Sequence, residues 1–372
     1  MMDLVFLGCY FNHHQRYLCD ALSRRCRFHF IATKAYNEKR LALGWKPEEE
    51  PDYVCHYDRE PEKAQALLKN AQVVLTGSAP EELVRQCIKR NQTVLRYSER
   101  PLKDGPQWSR YPLRFLKWHY QNPPGKPIYL LCASAYTASD YARFGLFRRR
   151  AYRWGYFPEQ KVYEDPEALA KTPGFILWAG RFLDWKNPQS ALNLAARLKK
   201  AGYAFTMELV GTGPQEALLR QQIQEQGLED CVSMAGSMSP QQVRRRMEQA
   251  EIFLFTSGRA EGWGVVLNEA MNSGCCCVAN IQAGASPYLV QDGKNGVLYQ
   301  TEDELYEKVA ALLDDPVHTR QLGVAACETI AKEWNPDTAA ERLLTLCQGL
   351  LSGSHRAPYE QGPCSAAGRK GR

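Results

Sequence analysis

The feature that most limits how this chain can fold is a rhythm: short apolar runs alternate with stretches of helical periodicity, and the whole alternation occurs twice. In the first series, apolar runs at 4–8, 28–32, 73–76, 93–97 and 128–133 are separated by helical patterns at 15–24, 62–70, 81–90 and 136–144. The second series opens at 175–180 and continues through 205–211, 231–236, 252–256 and 276–280. Strands covered on both faces by crossover helices read as continuous apolar runs, so each series predicts one parallel, Rossmann-like α/β domain. Pro188, Pro214 and Pro240 fall at the starts of helical patterns, where a missing amide is harmless. The charged, proline-containing stretch 153–173 is the expected linker. The predicted organisation is therefore one domain over 1–160, a second over 161–336, an amphipathic helix over 337–351 and, from its Gly, Ser, Pro and charge content, a disordered tail over 352–372.

At 372 residues the chain is long enough for two cores. No stretch approaches the roughly 20 apolar residues of a spanning helix, and residues 1–8 read as a first buried strand, not a signal peptide. The 13 cysteines are odd in number, form no C-x-x-C pair and include Cys275, Cys276 and Cys277 within an apolar run. They read as reduced core thiols, which points to a cytoplasmic protein. Charge is uneven: residues 1–160 carry 26 Lys and Arg against 16 Asp and Glu, an excess of +10, while the remainder has 21 against 25, or −4. Ten basic residues in 103–153 face only Asp104 and Asp140, and aromatics are interleaved with them. That mixture favours an anionic membrane surface, so peripheral attachment to the inner face of a membrane is expected; nucleic acid is not, since no binding module accompanies the charge.

The most informative chemistry lies in Glu261-Gly262-Trp263-Gly264-Val265, with Glu269 eight positions beyond Glu261. The block follows a predicted strand and opens a predicted helix, where ligands of α/β sheets gather and glycine lets backbone approach them. An earlier strand end carries Arg181 and Lys186, a planar fork and a compact charge suited to a diphosphate.

These pieces, with Val210-Gly211-Thr212-Gly213-Pro214 and Asp292-Gly293-Lys294-Asn295-Gly296, resemble in order the motifs of glycosyltransferase family 4, group 1 glycosyl transferases with the retaining GT-B architecture. The resemblance covers residues 175–300. It implies two Rossmann-like domains facing across a cleft, the first binding acceptor and the second nucleotide sugar, with helix 337–351 crossing back to pack on the first. It also implies that Arg181 and Lys186 hold the donor diphosphate, Glu261 a sugar hydroxyl and Glu269 the ribose. Backbone amides of Gly262, Trp263, Gly264 and Val265 would assist, and the base would lie near Gly236 and Met238. No metal or other cofactor is expected. Of the family's first glycine-rich loop only Gly8 fits well; His13 and His14 follow it as candidate acceptor or sugar contacts. Where relatives carry a histidine after the strand at 93–97, this chain has Ser98-Glu99-Arg100, which makes Glu99 the candidate substitute.

The expected activity is transfer of a sugar from a nucleoside diphosphate to a glycan or lipid-linked hydroxyl in surface-polysaccharide assembly. A nucleotide-sugar epimerase of the same fold and a noncatalytic sugar-nucleotide-binding protein are the alternatives. A nicotinamide-dependent oxidoreductase fits less well, because no G-x-G-x-x-G follows an early strand.

Overall fold

The computed structural model describes residues 1–36, 49–105 and 107–368. Residues 37–48, 106 and 369–372, which fall in the expected first domain, the basic stretch and the tail, lie outside the described residues, as does the Trp108 side chain. The chain forms two compact units, Met1–Glu159 with Asn335–Arg372, and Gln160–Trp334.

The first unit holds a parallel sheet of β1 (Asp3–Gly8), β2 (Arg27–Ala32), β3 (Val54–His56), β4 (Val73–Thr76), β5 (Thr93–Ser98), β6 (Ile128–Cys132) and β7 (Ala151–Arg153). Its order is β3-β2-β1-β4-β5-β6-β7, with Leu4 opposite both Phe28 and Val73. The second holds β8 (Thr172–Ala179), β9 (Thr206–Val210), β10 (Val232–Gly236), β11 (Ala250–Phe255), β12 (Cys276–Asn280) and β13 (Val297–Tyr299), ordered β10-β9-β8-β11-β12-β13, again all parallel. Interior strands β4, β11 and β12 are buried along their whole length, which is why their sequences lack alternation. Cys275 to Cys277 contribute to this core, burial pushes their thiols up, and all thirteen cysteines are free.

Each sheet reverses its order once, between β1 and β4 and between β8 and β11. Crossovers leave such a point in opposite directions, so the loops beyond the strand carboxyl ends part there and form the natural ligand crevice. The helices that follow are fixed by local signals. Pro188 opens helix Pro188–Lys200; Ser239 and Gln242 form a reciprocal capping box ahead of Pro240–Gln249.

Helix Pro336–Leu351 belongs to the first unit, where it lies against helix His13–Ser23. Its buried face includes Ala339, Leu343, Leu346 and Leu350, and Asp337 takes Arg24 and Arg25 at 3.0 and 2.8 Å. Over its described residues, 352–368, the tail that follows departs from expectation. Its composition predicts disorder over 352–372, yet Cys364 N–H donates to Arg153 O at 2.8 Å, Arg153 N–H to Ser365 O at 2.8 Å and Ala367 N–H to Ala151 O at 3.0 Å. The His355 ring meets the Tyr129 hydroxyl at 3.1 Å, while Cys364 and Ser365 are fully buried. The physical reason is the open edge of β7: an unpaired strand offers amides and carbonyls to any neighbouring segment, and the tail takes them.

Candidate functional site

The order reversal of the second sheet gathers most of the candidate residues. The loop after β8 passes through a short 3-10 turn, Asp184–Lys186, and the loop after β11 leads to helix Val266–Asn272. A buried hydrogen-bonded chain ties the two loops together. Trp178 Nε1 donates to Thr256 Oγ1 at 2.8 Å, Thr256 Oγ1 donates to Lys186 O at 2.7 Å, and Gly258 N–H donates to Trp185 O at 2.8 Å. Lys186 Nζ is thereby brought into direct contact with the Glu261 carboxylate, as an ion pair whose side chains are only 17% and 13% exposed. So little exposure removes much solvent screening, and a charged pair held this way is oriented before any ligand arrives. Sequence spacing made Lys186 and Glu261 separate candidates. Their pairing, and the roles of Trp178 and Thr256 as positioning residues, came only with the fold.

Arg181 follows Gly180, the first residue past β8; it is exposed, and among the described residues its side chain makes no ion pair. Glu269 sits on helix Val266–Asn272, half-buried, with its backbone carbonyl held by Arg244 Nη1 at 3.0 Å and Ser273 Oγ at 2.8 Å. The Trp263 side chain does not face a ligand. It is 1% exposed, donates from Nε1 to Asn268 Oδ1 at 2.8 Å and packs on Trp334, so only its backbone remains available. Gly262 is buried beside it, Val265 is half-buried, and Gly264 has φ +92° with a position where a Cβ would come 2.2 Å from Phe255 Cζ.

The remaining glycine motifs are conformational. A Cβ on Gly211, at φ +142°, would stand 1.9 Å from Gly180 O, and Gly211 N–H donates to Gly236 O at 2.8 Å. Gly236 itself has φ +71°, and Met238 beyond it is half-buried. In the 292–296 motif, Asp292 accepts from Leu298 N–H at 2.7 Å and the buried Asn295 donates to Leu289 O at 3.0 Å, so both carboxylate and amide serve the turn.

The first unit presents a different chemistry at its own order reversal. Gly8 ends β1; its carbonyl accepts from Thr33 N–H at 2.9 Å, and the next residue bridges the reversal, Cys9 N–H donating to Ser78 O at 2.6 Å. Asn12 caps the following helix by accepting from His14 N–H at 3.0 Å. The His13 and His14 rings lie 3.9 Å apart. Burial lowers both imidazoles, and His14 is pushed down to about 4 by burial first and by His13 second. Neutral imidazoles at pH 7 offer hydrogen bonds without charge. Glu99 accepts from the Tyr156 hydroxyl at 3.0 Å, while Arg100 turns inward to Asp140 at 3.4 Å, so no surface Glu–Arg pair forms between neighbours.

Residues 159–329 match the family model "Glycosyl transferases group 1". The chain is 32% identical over 207 residues to the amylovoran biosynthesis glycosyltransferase AmsK of Erwinia amylovora, an alignment covering 53% of this chain and 50% of AmsK. The chain thus spans about half the length of the curated relatives it matches. Among solved structures, Anabaena HepE in complex with UDP superposes with a TM-score of 0.67 at 15% identity, covering 94% of this chain and all of that one. Sucrose-phosphate synthase of Thermosynechococcus elongatus superposes with a TM-score of 0.67, also at 15% identity, over 95% of this chain. The two parallel-sheet, Rossmann-like domains are those of GT-B glycosyltransferase structures.

Proposed function

We propose that this chain is a retaining glycosyltransferase that moves a sugar from a nucleoside diphosphate to a hydroxyl of a glycan or lipid-linked acceptor in surface-polysaccharide assembly. The observation that carries the reading is the Lys186–Glu261 pair at the order reversal of a parallel sheet, inside the segment that matches group 1 glycosyl transferases. Its relative AmsK is named as an amylovoran biosynthesis glycosyltransferase, which supports a biosynthetic sugar transfer.

Breaking the bond between the anomeric carbon and the diphosphate leaves negative charge on the leaving oxygen. Arg181 and Lys186 stabilise that charge, and Lys186, with three N–H donors, can retain Glu261 while accepting a phosphate oxygen as partner. Glu261 receives a donor-sugar hydroxyl and Glu269 the ribose. Backbone of Gly262 to Val265 lies against the donor, with the base beside Gly236 and Met238. Gly8, His13, His14 and Glu99 supply neutral or singly charged contacts to sugar or acceptor hydroxyls. The acceptor oxygen attacks from the face the diphosphate leaves, its proton passes to the departing phosphate oxygen, and configuration is kept with no protein nucleophile. The two cations take the role a metal ion plays elsewhere, so no essential metal is assigned.

The test is incubation with UDP-, GDP- and ADP-sugars and a panel of acceptors, scoring freed nucleoside diphosphate and the anomeric configuration of the product, with and without chelator. An inverted product, loss of turnover on chelation, or an epimerised donor with no transfer would each overturn the corresponding part of the proposal.

A further inference from the structure

Helix Tyr111–Gln121 is built unlike the other long helices: none of its residues is buried. It is fastened on one side, where Tyr111 stacks on Phe144 at 4.5 Å and Trp118 meets the same ring edge-on at 4.5 Å. At 100° per residue, Leu113, Leu116 and Tyr120 fall on the opposite side. They are 71%, 66% and 64% exposed, large apolar surfaces that the unit leaves uncovered. Lys117, and Arg110 in the turn just before the helix, flank this ridge, and among the described residues neither has an acidic partner.

The carboxyl end of this helix opens onto two basic hollows that share Lys126. One, of about 250 Å³, is lined by His119, Lys126, Phe147, Arg148 and Arg150. The other, of about 210 Å³, is lined by Arg85, Lys89, Tyr120 and Lys126, with the Arg85 guanidinium 3.6 Å over the Tyr120 ring. Arg85 Nη1 is buried with no hydrogen-bond partner among the described residues, a donor without an acceptor. Two of the nearby acids are engaged elsewhere: Asp140 accepts from Arg100 and Leu102 N–H in the interior, and Glu81 is paired with Arg96 at 2.7 Å; Glu82, on the Arg85 helix, is exposed, so cations outnumber the available carboxylates at the hollows. The hollows lie before β6 and β7, at the amino ends of the strands, whereas the candidate transfer residues follow strand carboxyl ends. They have no part in the proposed transfer chemistry.

An apolar ridge beside unneutralised cations matches one partner in both halves of its chemistry, a bilayer with anionic headgroups over a hydrocarbon interior. We propose that helix Tyr111–Gln121 docks on such a bilayer, Leu113, Leu116 and Tyr120 entering the interface while Lys126, Arg148 and Arg85 receive headgroup phosphates. This holds whether or not the chain transfers a sugar.

The experiment is co-sedimentation of the full chain with vesicles of phosphatidylcholine alone or mixed with phosphatidylglycerol, at low and high salt, with thermal melts confirming that each variant folds. Binding is expected to the mixed vesicles at low salt and to weaken as salt rises. L113S/L116S should weaken it about tenfold, as expected for losing two partly inserted leucines. K126E/R148E should weaken it by about tenfold or more from the reversed charges. Nucleoside diphosphate release by L113S/L116S in the absence of vesicles should match the parent, which separates this proposal from the transfer reading. Failure to bind mixed vesicles at low salt would overturn it. So would binding that a DNA fragment displaces and L113S/L116S leaves unchanged, since the patch would then be a general polyanion surface.

Discussion

The two sheets reverse their strand order at the same place, but they equip that place with opposite electrostatics. In the second unit the loops after β8 and β11 carry an exposed Arg181 and a largely shielded Lys186–Glu261 pair, its lysine backbone fixed through Trp178 and Thr256. In the first, helix His13–Ser23 opens with two imidazoles whose pKa burial lowers, and Glu99 after β5 is engaged by the Tyr156 hydroxyl. A diphosphate needs fixed positive charge, whereas sugar hydroxyls need directional hydrogen bonds at low net charge. The difference is what the proposed division into a donor unit and an acceptor unit rests on, chemistry at the two sites and not fold.

The comparison can be broken most severely through backbone fit. Gly211→Ala would place a Cβ 1.9 Å from a backbone oxygen that cannot retreat without moving β8. It is expected to cost roughly 4 kcal/mol or more, lowering Tm by about 10 °C. Gly8→Ala in the first unit meets only the rim of the Phe30 ring, at 2.9 Å, and should cost about 1 kcal/mol as the ring shifts. Equal melting temperatures for the two variants would remove the claim that the second unit's loops are the more tightly specified.

Next in size is charge. Lys186→Ala is expected to lower turnover by about 10²- to 10³-fold and Glu261→Gln by about tenfold to a hundredfold, measured as freed nucleoside diphosphate. The double variant should lose less than the product of the two, because each single change already disrupts a shared unit. Strictly multiplicative losses would mean that the pair seen here has no part in turnover. Glu269→Ala, assigned to the ribose, should raise KM about tenfold with a smaller change in kcat.

The first unit should respond more gently. Tyr156→Phe frees Glu99 from its hydroxyl donor and is expected to change acceptor KM by less than about tenfold, leaving donor KM alone. A larger effect on donor than on acceptor would reverse the assigned roles.

The smallest effect is a pH dependence of stability. The His14 imidazole titrates near 4 in the folded chain against about 6.5 when unfolded, so the unfolded chain binds the extra proton between those values. Stability from the buried neutral ring is full above about pH 6.5 and is lost as pH falls toward 4. His14→Gln should therefore lose less stability than the parent over that window, by about 2 kcal/mol after allowance for partial exposure. Parallel unfolding curves from pH 7 to 4 would show that the ring is not held neutral.

What the sequence determined by itself was whatever depends on neighbours along the chain. Apolar runs specified the buried parallel strands, Pro188, Pro214 and Pro240 marked helix starts, and the charged and glycine-bounded stretches at 180–187 and 261–269 placed the second unit's candidate residues at strand ends. The short strands β3, β7 and β13 were not legible, because three residues carry too little periodicity to separate a strand from a loop. What only the tertiary structure decided were contacts across long separations. Lys186 and Glu261 meet because β8 and β11 are sheet neighbours, the Trp263 indole is buried because Trp334 covers it, and the polar stretch around 364–367 is held because β7 leaves an edge open. In each case the sequence supplies a group able to bond, and the choice of partner follows from strand order and burial, which no local pattern encodes.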